Sequence, residues 1–182
     1  MGKRFEKALV LRQQHINSLP ARAVTEVDIN NYANAWHNMS IVLLSDGLYE
    51  EALRYIELAI RIRNSIGENP TFNGESELFK ALALSVLGRS EEALKLVRSV
   101  QAEVKELSDE LLQTVRVALL PFRFHWAEIF LNSGDMEAAH KAMLEVLKLR
   151  GEHFGVGGRA TLDTYYMMGV IEQKRGNLSA AK

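Results

Sequence analysis

The sequence predicts an all-α protein built as a row of antiparallel helical hairpins. Three observations lead there. Nearly every long segment carries apolar residues at spacings of three and four, and none sustains the alternation of a strand. Only three prolines, Pro20, Pro70 and Pro121, interrupt 182 residues. A glycine followed five residues later by alanine returns four times, as Gly47/Ala52, Gly88/Ala93, Gly134/Ala139 and Gly176/Ala181. The intervals are 41, 46 and 42 residues, the signature of a repeat array.

Residues 1–27 read as the second helix of a preceding repeat plus a linker. Here "GKRFEKAL" places Ala8 44 residues before Ala52. Residues 28–73 read as a full repeat. Its first helix, "DINNYANAWHNMSIVLLSDG", takes Asp28 as N-cap and Gly47 as left-handed terminator. Its second helix sets Leu48, Tyr49, Ala52, Leu53, Ile56, Ala59 and Ile60 in one stripe, with Glu50, Arg54, Glu57 and Arg61 opposite. Glu50–Arg54 and Glu57–Arg61 stand four apart with the acid first, the favourable order. The turn at Asp46–Leu48 is too short for anything but an antiparallel return. In each copy glycine permits the turn, and alanine lets two helix backbones approach.

Residues 74–107 form the next repeat and 108–160 a third. In the third, Pro121 interrupts Ser108–Gly134. Proline removes one backbone hydrogen bond and crowds the preceding turn. That predicts a kink near Val117–Pro121 or two abutting helices, and Pro121 also suits the first residue of a fresh helix. Residues 161–182 form a partial repeat. Both ends fall within a repeat and no polar capping helix is evident, which predicts a piece of a longer protein.

Composition narrows the function classes. Lys plus Arg number 22 and Asp plus Glu 23, a net charge of −1 that speaks against a nucleic-acid surface. The absence of cysteine excludes disulfides, thiolate nucleophiles and Cys-ligated zinc, and fits a cytoplasmic location. No apolar run approaches the ~18–20 residues of a membrane span.

The repeat resembles the tetratricopeptide repeat, whose pattern runs Trp-x2-Leu-Gly-x2-Tyr and then Gly-x-Tyr-x2-Ala-x3-Phe-x2-Ala. The first full copy supplies Trp36, Met39, Ser40, Leu43, Gly47, Tyr49, Ala52, Ile56 and Ala59. The third supplies Arg123, Trp126, Ala127, Phe130, Gly134, Met136, Ala139, Met143 and Val146. The last begins Tyr165, Met168, Gly169. The period exceeds the usual 34 residues, which is similar to the long-repeat class of kinesin light chains. "AIRIRNSIGENP" (59–70) and "VLKLRGEHFGVGG" (146–158) echo each other, each ending a second helix on an apolar–Arg pair.

The resemblance implies a right-handed α-solenoid whose first helices line a concave face. Its inward positions fall on Asn34, His37, Asn38, Ile41 and Ser45, then Glu75, Leu78, Phe79, Leu82 and Val86. They continue at Phe124, His125, Glu128 and Asn132, and at Asp163, Tyr166, Val170 and Lys174. Asn34, His37, Asn38, Ile41, Glu75, Phe79, Leu82, Phe124, Glu128, Tyr166 and Lys174 are therefore the candidate peptide-binding residues, with aromatic anchors at Phe79, Phe124 and Tyr166. The Lys/Asn/Arg clamp by which some members hold a chaperone's C-terminal carboxylate is replaced by His37, Ile41, Phe79, Pro121 and His125.

Catalytic and metal motifs do not assemble. His125-x-x-Glu128 and Glu137-x-x-His140 pair acid and imidazole, but only one has the Glu-first order of di-iron bundles. "GVGGRAT" (155–161) follows a helix and lacks the Gly-Lys-Ser/Thr ending of a phosphate loop, so it reads as a flexible linker. The expectation is a non-enzymatic scaffold without cofactor or metal. It binds a protein or peptide rather than nucleic acid or membrane. The alternative is a sensor or regulatory arm of a larger signalling or nucleotide-switch protein. Apolar surface near Val170 and Ile171 also suggests self-association through the open ends.

Overall fold

The computed structural model describes residues 26–65, 74–105 and 120–176. They form seven α-helices: α1 (Glu26–Ser45), α2 (Tyr49–Ser65), α3 (Gly74–Val86), α4 (Ser90–Lys105), α5 (Leu120–Asn132), α6 (Met136–Phe154) and α7 (Arg159–Lys174). The chain divides into two compact units, Met1–Ala83 and Leu84–Lys182. In the first, α1 packs on α2; in the second, α4 on α5, α5 on α6 and α6 on α7. The N-terminal copy around Ala8 and the start of the second helix at Ala181 lie outside the described residues.

The turn glycines explain the hairpins. Gly47, Gly88, Gly134 and Gly176 have φ of 78°, 78°, 83° and 83°, a region costly for any side chain. The first three close the same motif. Leu48 donates to the Leu43 carbonyl at 2.9 Å while Gly47 donates to Leu44 at 3.1 Å. Arg89 and Gly88 repeat the pair onto Leu84 and Ser85, and Asp135 and Gly134 onto Phe130 and Leu131. These are Schellman closures, which satisfy the last carbonyls of a first helix while reversing the chain. Asp135 then caps α6, its side chain accepting from the Ala138 amide at 3.0 Å. Acids fill the first turns of α2 and α4, at Glu50–Glu51 and Glu91–Glu92, where the helix end is positive.

Ala52, Ala93 and Ala139 are fully buried, as the close approach of paired helices requires. Ala52 sits with Met39 and Leu43, against which Leu44 and Tyr55 pack. Ala139 sits with Ala127, Leu131, Met143, Val146 and Ile171, flanked by Phe124, Phe130, Met136 and the methionines of α7.

Pro121 is the second described residue of α5, and the choice among a kink, two abutting helices and a fresh helix falls on residues 108–119, outside the described residues. Three expectations change. The backbone is already helical at Glu26, so Asp28 lies within α1 rather than at its N-cap. The Glu57 carboxylate turns to Lys80 of α3 at 2.9 Å, and Arg61 reaches the Glu57 carbonyl at 3.3 Å. The 155–158 linker is tightly built rather than loose. Gly158 donates to the Gly155 carbonyl, which also accepts from the Thr161 hydroxyl. A Cβ on Gly158 would stand 2.8 Å from the Phe154 carbonyl oxygen.

Candidate functional site

In the first unit the candidate residues gather around a buried guanidinium. Arg63, near the end of α2, is almost wholly buried. Its Nη1 donates to Ser76 Oγ at 2.6 Å and its Nη2 to Asn34 Oδ1 at 2.8 Å. One side chain thus ties α2 to α1 and α3. His37 joins the node. Its Nδ1 lies 2.9 Å from Ser76 Oγ, its Nε2 3.5 Å from Glu75 Oε2, and its ring 5.7 Å from that of Phe79.

Around this node the inward positions divide. His37 and Leu78 are buried and spend their surface on packing. Asn34 is half-buried and holds Arg63. Asn38 and Glu75 are exposed, while Ile41, Phe79 and Leu82 are half-buried at the surface. His37 is therefore a joint residue first, with only an edge to offer a ligand. Its burial follows from the approach of α3, which the periodicity of α1 does not encode.

The second unit repeats the device. Arg150 stands sixteen residues after Gly134, as Arg63 does after Gly47. Its Nη1 donates to the Thr164 hydroxyl at 2.9 Å and to the Ala160 carbonyl at 2.8 Å. Thr164 and Ser76 each lie twelve residues before a turn glycine. The Arg150 guanidinium lies 4.5 Å from the centroid of the Phe124 ring, a cation–π contact at the position His37 occupies in the first unit. Burial pushes the Arg150 pKa down, opposed by the charges of Asp163 and Glu128.

On the same first-helix faces, His125 Nδ1 lies 2.6 Å from Glu128 Oε2, and Asn132 donates to Ser85 Oγ at 3.2 Å. Phe124 and Glu128 are half-buried; Tyr166 and Lys174 are exposed. Glu137 does not meet His140. It pairs with Arg175 at 2.7 Å, and His140 turns to the buried Glu172 at 3.1 Å. Arg175 also donates to Glu172 at 2.7 Å; that bond, and then Glu137, hold its guanidinium above the ordinary arginine range.

Sequence reasoning assigned no role to Arg63, Arg150, Ser76 or Thr164. The signal was present in the constant distance of each from a turn glycine. In the sequence alone it shows only as the apolar–Arg ending of the second helices.

Residues 33–66 match the tetratricopeptide repeat family. No curated protein matches the sequence. Two solved structures of nearly identical TPR-like repeats, from a Podosopora anserina protein assigned as a kinesin light chain, align over 97% of this chain. They are 19% and 18% identical, cover 81% and 82% of those chains, and give TM-scores of 0.65 and 0.62. BtubC (BKLC) from P. vanneervenii aligns over 98% of this chain and 69% of its own, at 15% identity and a TM-score of 0.68. At such identities the likeness is one of fold. The match at 33–66 marks a tetratricopeptide repeat in that stretch, and the likeness to the solved structures is that of an all-α, TPR-like repeat fold.

Proposed function

We propose that the chain is a protein-interaction scaffold that holds a peptide or protein segment on the faces of its first helices. The observation that carries this reading is the mixed surface those helices leave open. In the first unit it offers Asn38, Ile41, Glu75, Phe79 and Leu82 beside the edges of Asn34 and His37. In the second it offers Phe124, Glu128, Tyr166 and Lys174. Amides and carboxylates fit the backbone of an extended segment, and half-buried rings fit its apolar side chains. The Arg63 and Arg150 nodes lie beneath these faces and fix the spacing of the helices that bear them.

Selection from a random peptide display library, followed by calorimetry, tests the proposal. Enriched peptides should share a motif, and Asn38→Ala or Phe79→Ala should weaken them about tenfold, some 1.4 kcal/mol. No enriched motif, or affinities untouched by either substitution and by Tyr166→Ala, would refute it.

A further inference from the structure

The two arginine joints share a register, but only the first is closed. Arg63 is 4% exposed, and both arms of its fork are taken, Nη1 by Ser76 and Nη2 by Asn34. Arg150 keeps the first arm, whose Nη1 donates to Thr164 and to the Ala160 carbonyl. The second arm has lost its acceptor. Asn34 stands thirteen residues before Gly47, and thirteen before Gly134 stands Pro121, whose side chain accepts nothing. Nε and Nη2 of Arg150 make no hydrogen bond among the described residues, and both reach solvent.

A second exchange opens the acid beside it. In the first unit Glu75 lies 3.5 Å from His37. At those two registers the second unit carries Asp163 and Phe124. The Phe124 ring lies under the Arg150 guanidinium but has no proton to offer Asp163. Asp163 is exposed and makes no hydrogen bond or ion pair among the described residues. Its charge and that of Glu128 both act on Arg150. Glu128 spends only Oε2 on His125. An open guanidinium edge therefore rests on a ring and is bordered by two carboxylates. Pro121 and Phe124 both belong to α5, so the opening is made inside the described helices.

The first unit shows what completes such an arm: a carboxamide oxygen, 2.8 Å from Nη2. We propose that Arg150, Asp163 and Glu128 form a subsite for the side-chain amide of an asparagine or glutamine in the bound segment. This deepens the scaffold reading and rests on it. The guest's amide oxygen accepts from Arg150 Nη2, and its NH2 group donates to Asp163 or to the second oxygen of Glu128. One planar amide carries both the acceptor and the donors that this arrangement asks for. An acidic side chain would complete the arm but face two carboxylates, and a basic one would suit the carboxylates but face the guanidinium. Arg63 takes no such guest, because Asn34 already fills its arm. A site whose polar groups expect a hydrogen-bonding guest discriminates sharply against one that leaves them unpaired.

The test pans one random peptide display library against the parent chain and against Pro121→Asn, which restores an internal carboxamide at the Asn34 register. Peptides from the parent chain should carry asparagine or glutamine at one fixed position, and Pro121→Asn should abolish that preference. In calorimetry, the most enriched parent-chain peptide should bind at least tenfold more weakly when this residue becomes alanine, and again when it becomes aspartate. The alanine penalty should fall below threefold in Arg150→Lys, which keeps the charge but has no second arm. Asp163→Ala, at an exposed position, should weaken the parent peptide about fivefold with the circular dichroism of the chain unchanged. A motif without a fixed amide, an alanine penalty undiminished in Arg150→Lys, or a preference for aspartate would overturn the subsite and leave the scaffold reading standing. Failure to enrich any peptide would overturn both.

Discussion

Arg63→Met should loosen the first unit and leave the second nearly untouched. Methionine keeps much of the arginine volume and its apolar stem, but deletes the two donors to Ser76 and Asn34. Hydrogen bonds made by a charged group are worth ~1.5–3 kcal/mol each, and two from one fork are not additive. Against that loss stands the relief of no longer burying a cation. Ser76 remains beside His37, but the buried part of Asn34 loses its donor. A net loss of about 2 kcal/mol follows, or about 1 M in urea midpoint for a unit whose slope is about 2 kcal/mol per molar. The two tryptophans make the assay local, since Trp36 lies in the first unit and Trp126 in the second. In Trp126→Phe and Trp36→Phe backgrounds, fluorescence should show the midpoint falling for the Trp36 probe and holding for Trp126. Arg63→Lys should recover little, because an ammonium does not present a fork. An unchanged Trp36 midpoint would refute the claim that this node holds α1, α2 and α3 together.

Ala139→Leu forces three carbons into the contact of α5 with α6, among Ala127, Leu131 and Met143, and should cost ~1–3 kcal/mol in chemical denaturation. Gly134→Ala meets nothing within 4 Å, so its cost is that of φ +83° alone, about 1–2 kcal/mol; calorimetric melting showing no loss would contradict the left-handed turn. Glu172→Leu places at this register the residue found at Leu43 and Leu84, while Arg175 keeps Glu137. It should leave stability unchanged or raised by about 1 kcal/mol, and a loss above about 2 kcal/mol would show that the buried carboxylate stabilises the α6–α7 contact.

The turns and the tight contacts were legible in the sequence because each has one chemical solution. Only glycine sits without strain at φ near +80°, and only a small side chain fits between closely paired helices. Four glycines and three alanines therefore announce the hairpins. The surface was less legible. A first helix alone does not say which of its inward positions the next hairpin will cover. His37 and Tyr166 occupy the same register, yet one is nearly buried and the other open, because α3 supplies Ser76 and Phe79 to the first. Glu172 misleads in the opposite sense. Periodicity marks the position as core and chemistry marks the residue as surface, and the structure reconciles them through Arg175 and His140.

The register also shows that the repeats are joined in two ways. Arg63 with Ser76 and Arg150 with Thr164 are equivalent pairs, each a guanidinium sixteen residues after one turn glycine and a hydroxyl twelve before the next. At the corresponding places after Gly88 and before Gly134 stand Val104 and Phe122, which have neither donor nor acceptor in their side chains. Hydrogen bonds from a planar fork fix distance and angle, whereas apolar contact is non-directional. A directional joint therefore recurs once in each unit, beneath the faces on which Asn38, Phe79, Glu128 and Tyr166 are displayed. A guanidinium buried for stability alone would gain little over a well-packed apolar side chain. Its repetition at the same register in both units is better accounted for by geometry, since each fork or cation–π contact fixes the spacing of the helices it ties.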